Sequence, residues 1–278
     1  MAHAQRAPCH ACLLRADLPA RPCAGRAWQA ALMKANIERV ELSAVRLVFS
    51  GGSNVDAVLL EWLALAMPAA TLMNLYGLTE TSGTIVMTPW QRSHADLMGS
   101  IGIPFEGAQL RVAGNDGAAL ATDEIGELWF KGVGVVPGYI GAAAGLGFSE
   151  DGWLQTGDLG AVDARGLITL KGRKKDRYIQ GGFNVYPTEI EALVNRHPEV
   201  VMVAGIGVPD PVMGKVGRLY VMPKPGSTLQ AGEIRQWCDR HLADYKVPRQ
   251  IVPREMLPLT PAGKIHKAAL RNEAAGAA

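Results

Sequence analysis

The chain has 278 residues, room for about two domains, and its 48% hydrophobic and 19% charged residues describe an ordinary soluble globular protein. A formal net charge of +2 argues against a nucleic-acid-binding surface as its main business, so no nucleic-acid partner is expected. No apolar run reaches the roughly 18 residues of a membrane span, and Met1-Ala2-His3-Ala4-Gln5-Arg6 lacks the apolar stretch of a secretory signal, so a cytoplasmic protein without a membrane span is expected.

Residues 1–26 are rich in Ala, Arg, Pro and Cys without a clear period and read as a disordered leader, or as sequence outside the fold. Cys9-His10-Ala11-Cys12 has metal-like spacing, but a zinc site takes about four ligands and no second pair is evident. Cys9, Cys12 and Cys23 are therefore read as incidental thiols. Patterning begins near Trp28. A buried strand over 45–49 ends at Ser50-Gly51-Gly52-Ser53, helical spacing runs over 56–66, and a second strand covers 70–74. Strand, helix, strand is the signature of a parallel α/β layer.

After Thr84 short apolar runs over 100–103, 108–112, 126–131, 159–162 and 167–170 are separated by turn groups such as Asn115-Asp116-Gly117 and Ala164-Arg165-Gly166. That pattern predicts a small, distorted β-barrel-like subdomain. From Asp176 onward, strands over 177–180 and 183–185 flank Gly181-Gly182, a hairpin signal. A helix over 187–195 has Pro in its first turn and Glu189 and Glu191 placed favourably for its dipole. Strands over 200–208 and 219–222, a helix over 231–242, a strand over 250–252 and a helix after Ile265 complete an α+β domain. The fold class is thus α/β plus α+β, with the boundary near 173–176.

Several short blocks have chemistry in them. Tyr76-Gly77-Leu78-Thr79-Glu80 follows a strand at its carboxyl end, where open α/β sheets place ligands. Tyr76 offers a flat face to a purine, Thr79 a hydroxyl to a phosphate, and Glu80 a hard oxygen to Mg²⁺; a polar surface turn is the plain alternative. The glycines of Ser50-Gly51-Gly52-Ser53 allow close backbone approach to a ligand, and Ser53 or Asn54 would equally serve as a helix N-cap. Asp158 in Thr156-Gly157-Asp158 can accept from both hydroxyls of a ribose, or be a turn residue. Gly172-Arg173-Lys174-Lys175-Asp176 is a charge cluster without aromatic interleaving, and a solvated loop describes Lys174 well. Gly181-Gly182 suits a type I′ turn. Lys264 sits on a Gly-containing loop within Pro258-Leu259-Thr260-Pro261-Ala262-Gly263-Lys264-Ile265.

Together with Gly126-Glu127-Leu128, Gly138-Tyr139 and Pro187-Thr188-Glu189-Ile190-Glu191, these blocks resemble the downstream half of an AMP-forming acyl-CoA synthetase, of the adenylate-forming superfamily, over about 28–271. The resemblance implies that 27–172 is the C-terminal part of a large nucleotide- and acyl-binding domain, 173–176 a hinge, and 177–278 a mobile C-terminal domain. It implies a ligase that turns a fatty or aromatic carboxylate and ATP into an acyl-adenylate, then uses coenzyme A to give acyl-CoA and AMP, with Mg²⁺. Gly51, Gly52, Ser53, Asn74, Tyr76 and Gly77 would lie at the nucleotide, Thr79 at phosphate, Glu80 at Mg²⁺ and Asp158 at the ribose. Arg173 would bridge ribose and phosphate oxygens. Lys264, with Thr79 and Glu80, would be catalytic, the lysine stabilising charge as pyrophosphate leaves. Lys175 would be the hinge, and Gly181 and Gly182 would line the approach of the pantetheine arm.

Three departures stand out. Met213-Gly214-Lys215 occupies a place where many relatives carry Gly-Glu, Pro137 one where a basic residue is frequent, and no stretch like Thr-Ser-Gly-Thr-Thr-Gly-x-Pro-Lys-Gly is present. An upstream half, with the phosphate loop and most of the acyl pocket, is therefore an expected partner. Alone, the chain is expected to be inactive and marginally soluble, with an unpaired sheet edge at Val45. Two rivals stay open: a catalytically silent nucleotide-binding remnant, and an adenylation domain that loads a carrier protein.

Overall fold

The computed structural model describes residues 44–51, 57–90, 93–141, 147–261 and 263–276, with the backbone alone for 11–15, 57 and 58. The first sheet runs in the order β1 (Ala11–Arg15), β2 (Leu47–Gly51), β3 (Thr71–Leu78), β4 (Gly83–Met87), β5 (Ile103–Pro104). The first three strands are parallel, with Leu14 opposite Ser50 and Ser50 opposite Asn74; β4 and β5 are antiparallel additions. Helix α1 (Ala57–Ala66) joins β2 to β3 and buries Leu60 and Leu63 against Val48 and Leu72. This is the expected parallel α/β layer. Its edge is not where the sequence suggested, because Ala11–Arg15, within the presumed leader, pairs along the whole of β2. The apolar run Ala11-Cys12-Leu13-Leu14 suits a strand of such a sheet.

Helix α2 (His94–Gly99) was not anticipated, and it precedes the region read as a strand over 100–103. It is fixed by a reciprocal cap: Ser93 Oγ accepts from the Asp96 amide at 3.1 Å, and Asp96 Oδ2 accepts from the Ser93 amide at 3.2 Å. Leu97 then closes the core beneath β3.

The second sheet is an antiparallel meander of β6 (Ala108–Ala113), β7 (Gly126–Gly132), β8 (Leu154–Val162) and β9 (Ile168–Arg173). It is an open four-stranded sheet rather than a barrel. Leu128, Phe130 and Ile168 share a core with Ile85 and Val86 of β4, which locks the two sheets together and brings the ends of β3, β8 and β9 to one place.

The third sheet, β11–β10–β13–β12, comprises β10 (Tyr178–Gln180), β11 (Phe183–Val185), β12 (Val200–Asp210) and β13 (Gly214–Pro223), with β14 (Gln250–Pro253) parallel to β13. One face packs on α3 (Pro187–Val194) and α4 (Ala231–Asp239) through Ile190, Val194 and Ile234. The other packs Tyr220 and Ile206 on Leu270 of α5 (Lys267–Gly276). Asp176, in the turn after β9, accepts from Arg271 and lies 3.8 Å from Lys267 Nζ, so this turn is fastened to α5.

Candidate nucleotide site

The centre of the site is Asp158. Thr156 Oγ1 donates to the Leu128 carbonyl at 2.7 Å and accepts from the Asp158 amide at 3.0 Å, which bends β8 sharply at Gly157, where φ is +70°. A side chain rarely tolerates that backbone. The bend aims the Asp158 carboxylate, 9% exposed, between two strands. Tyr76 Oη, from β3, donates to Oδ2 at 2.7 Å, and Arg173 Nε, opposite in β9, pairs with Oδ1 at 2.7 Å. Lys264 stands close enough to favour the charged form further. Burial nevertheless pushes the carboxyl above the usual aspartate range, against the pull of Arg173, Tyr76 and Lys264 and with help from Glu127. The Tyr76 phenol is held neutral by burial and by the neighbouring Asp158 charge. Each carboxylate oxygen has two acceptor positions, so one remains on each for a vicinal diol.

The end of β3 admits only glycine at position 77, since a Cβ there would stand 1.7 Å from the Gly83 carbonyl oxygen. Beyond it, Thr79–Thr81 forms one 3-10 turn. Thr81, which sequence reasoning passed over, holds that turn: its buried hydroxyl accepts from the Leu78 amide at 2.8 Å and faces the carbonyls of Leu78 and Gly83 at 2.9 and 2.6 Å. Thr79 is left exposed. Glu80 accepts from Tyr139 Oη, while the Glu80 carbonyl accepts from the Val136 amide at 2.9 Å. Lys264 is exposed on a loop closed by the Gly263 amide to the Thr260 carbonyl at 2.8 Å and the Thr260 amide to the Lys264 carbonyl at 2.7 Å.

Other expected residues have different surroundings. Asn74 is buried and its Nδ2 donates to the carbonyls of Leu97 and Ser100 at 2.8 and 3.0 Å; only Oδ1 lacks a partner among the described residues. Gly51 closes β2 so near β3 that a Cβ would lie 2.6 Å from the Leu75 carbonyl oxygen. Gly52 and Ser53 fall outside the described residues, as do Cys9 and Cys23. Lys175 is exposed in the turn after β9. Lys174 is not a freely solvated residue: its Nζ pairs with Glu127 at 2.9 Å. Gly181 and Gly182 take φ of +56° and +88° in the two-residue turn between β10 and β11, as that hairpin demands. Among the described residues no group of three or more His, Cys, Asp or Glu could hold a metal. A single carboxylate such as Glu80 suits Mg²⁺ only when phosphates supply the other oxygens.

A family model described as AMP-binding enzyme matches residues 8–140, and one described as AMP-binding enzyme C-terminal domain matches residues 189–264. The chain belongs to the AMP-binding enzyme family. The first match begins at residue 8, so the presumed leader follows the family pattern for most of its length. An indenyl-propanoyl:CoA ligase of Mycobacterium tuberculosis is 36% identical over 233 residues, 83% of this chain. A long-chain-fatty-acid–CoA ligase of Salmonella typhimurium is 36% identical over 252 residues, 90% of this chain. The ATP-bound structure of MatB from Rhodopseudomonas palustris overlays with a TM-score of 0.78 at 30% identity, covering 88% of this chain. The chain spans 44% of each of those two ligases and 49% of MatB, about half their length.

Proposed function

We propose that the chain carries the ribose side of the nucleotide site and the mobile C-terminal domain of an AMP-forming acid–thiol ligase, with the residues up to 172, Ala11–Arg15 included, the remnant of the large domain, 173–176 the hinge and 177–278 the mobile domain. In the first half-reaction a carboxylate oxygen attacks the α-phosphorus of ATP, the bond to the bridging oxygen breaks, and pyrophosphate leaves. In the second the sulfur of coenzyme A attacks the acyl carbon and AMP leaves. The observation that carries this reading is the Asp158 carboxylate, poised between Tyr76 and Arg173.

Asp158 accepts from the ribose hydroxyls, and Arg173, already on the same carboxylate, can turn spare donors to the phosphate. Lys264 meets the charge that develops at the α-phosphate. Glu80 would hold Mg²⁺, which neutralises charge on the phosphates, and Thr79 donates to phosphate oxygen. The turn at Gly181 and Gly182 would line the thiol's approach, with open space at Gly182 and the Met213 side chain against Gly181. A fatty or aromatic acid is the substrate class, and the long-chain relative supports the first. The same reading places the enzyme in the cytoplasm.

An upstream half supplies the phosphate loop. Its support is an apolar surface beside Glu80, where Tyr139 is partly exposed, Val133 is 71% exposed and Ile140 is 99% exposed. The chain alone should bind AMP weakly and make no acyl-CoA. The test is a fusion of a relative's upstream half to this chain, assayed with ATP, a fatty acid and coenzyme A for pyrophosphate and thioester. Release of both by the fusion and neither by the chain is the expected result. An ordinary ligase rate from the chain alone, or a fusion that binds AMP yet exchanges no pyrophosphate, would sink it; the latter would favour the silent remnant.

A further inference from the structure

We propose that Glu127 is a positioning residue that couples Asp158 to the turn carrying Lys174 and Lys175. The proposal rests on the nucleotide-site reading above for its functional meaning. Glu127 lies on β7, 8% exposed, and neither of its oxygens is idle. Oε1 accepts from the Gly157 amide at 2.9 Å, and Oε2 pairs with Lys174 Nζ at 2.9 Å. The Lys174 amide returns to the Gly157 carbonyl at 2.8 Å, which closes the loop of contacts.

Gly157 is the bend that aims Asp158, and Lys174 is the last residue before the hinge position. Two consecutive cations at the end of β9 thus hold two carboxylates: Arg173 holds Asp158 and Lys174 holds Glu127. A carboxylate this buried is strongly destabilising once its partner leaves. Rotation of the turn would carry away the Lys174 ammonium and amide together. Glu127 would lose its counter-charge, Gly157 its carbonyl's donor, and the bend that orients Asp158 would loosen. Coupling between two sites is reciprocal, so a ligand that fixes Asp158 must also steady the turn. Glu127 touches neither substrate nor reacting atoms on this account; it acts through its neighbours.

The test uses the 278-residue chain, amide hydrogen exchange at Gly157 and Lys174, and calorimetric titration with AMP. Without nucleotide, Glu127→Ala should speed exchange at both amides about tenfold, the scale of losing a charged hydrogen bond, and leave 128–130 unchanged. Glu127→Gln should preserve Gly157, because an amide oxygen still accepts, but not Lys174. A merely structural role would move both amides or neither. With nucleotide, AMP should slow exchange at Lys174 in the wild type and fail to do so in Glu127→Gln or Lys174→Met, with affinity about tenfold weaker in each and the double variant no worse. Equal protection of Lys174 by AMP in Glu127→Gln, or unchanged Lys174 exchange in that variant, would overturn the coupling. Lys174, half-exposed, carries the test through Lys174→Met should Glu127 variants not fold. A wild-type chain that binds no AMP would defeat the nucleotide reading, while the nucleotide-free exchange would still decide the coupling.

Discussion

The two ends of the proposed nucleotide site are built in opposite ways. At the ribose end Asp158 is almost buried, both its oxygens are engaged, and its partners Tyr76 and Arg173 come from strands held in fixed register. At the phosphate end Thr79 and Lys264 are exposed and Glu80 has, among the described residues, one side-chain partner, Tyr139, itself on an open loop. Sheet register fixes Tyr76 and Asp158 before any ligand arrives, while Arg173 closes β9 and opens the proposed hinge. The second is left to loops, which gain a fixed geometry only when a ligand, or a further part of the protein, closes over them. An adenylating enzyme needs both: a firm grip on the part of the nucleotide that does not react, and movable groups where bonds change.

If that division holds, variants at the loop end should damage chemistry and variants at the sheet end should damage binding. The largest effect is expected for Lys264→Ala in the fused enzyme, a loss of about 100-fold or more in adenylate formation, the scale of removing a principal transition-state charge contact. Thioester formation from a preformed acyl-adenylate should fall far less; equal losses would make Lys264 a structural residue. Asp158→Asn should weaken AMP binding by about 10- to 100-fold, the worth of one hydrogen bond to a charged acceptor, since the amide oxygen still accepts the other. Because burial raises the Asp158 pKa, the folded chain binds that proton more tightly than the unfolded one. The carboxyl's contribution to stability is therefore greatest when protonated and falls as pH rises to the raised value. AMP affinity should run the other way, declining on acidification above the usual aspartate range, and Asp158→Asn should flatten that decline. A wild-type affinity independent of pH would contradict it.

Lys175→Pro should slow thioester formation about tenfold and adenylation less, since proline fixes φ and removes a donor where the hinge turns. Normal rates in both half-reactions would remove the hinge from Lys175. The smallest effect, about threefold, is expected for Tyr139→Phe, which deletes one hydrogen bond to Glu80. It should appear as a higher Mg²⁺ requirement for pyrophosphate release, with AMP affinity unchanged. A change in AMP affinity alone would show the two ends to be less separate than their construction suggests.

Much of this was legible in the sequence because the informative residues sit where regular elements stop. The Tyr76 block ends a strand, the Asp158 block breaks one at the Gly157 bend, and the hairpin at Gly181-Gly182 declares itself by its turn chemistry. What escaped was tertiary. The strand Gly83–Met87 follows the Tyr76 block after a single 3-10 turn, so the motif hid it. Helix α2 depends on a cap between Ser93 and Asp96 that a short polar stretch does not advertise. Lys174 reads as solvated because its partner Glu127 is 47 residues away. Ala11–Arg15 becomes a strand only by virtue of β2 beside it.

The central claim is that this chain by itself recognises the ribose of an adenine nucleotide through Asp158. The most direct measurement is a calorimetric comparison of AMP with 2′,3′-dideoxy-AMP on the purified 278-residue chain. Removing both hydroxyls leaves Asp158 without the donors it is placed to meet, so the dideoxy analogue should bind about 10- to 100-fold more weakly than AMP, and Asp158→Asn should erase most of that difference. Equal affinity of the wild-type chain for the two nucleotides, or binding of neither, would contradict the account.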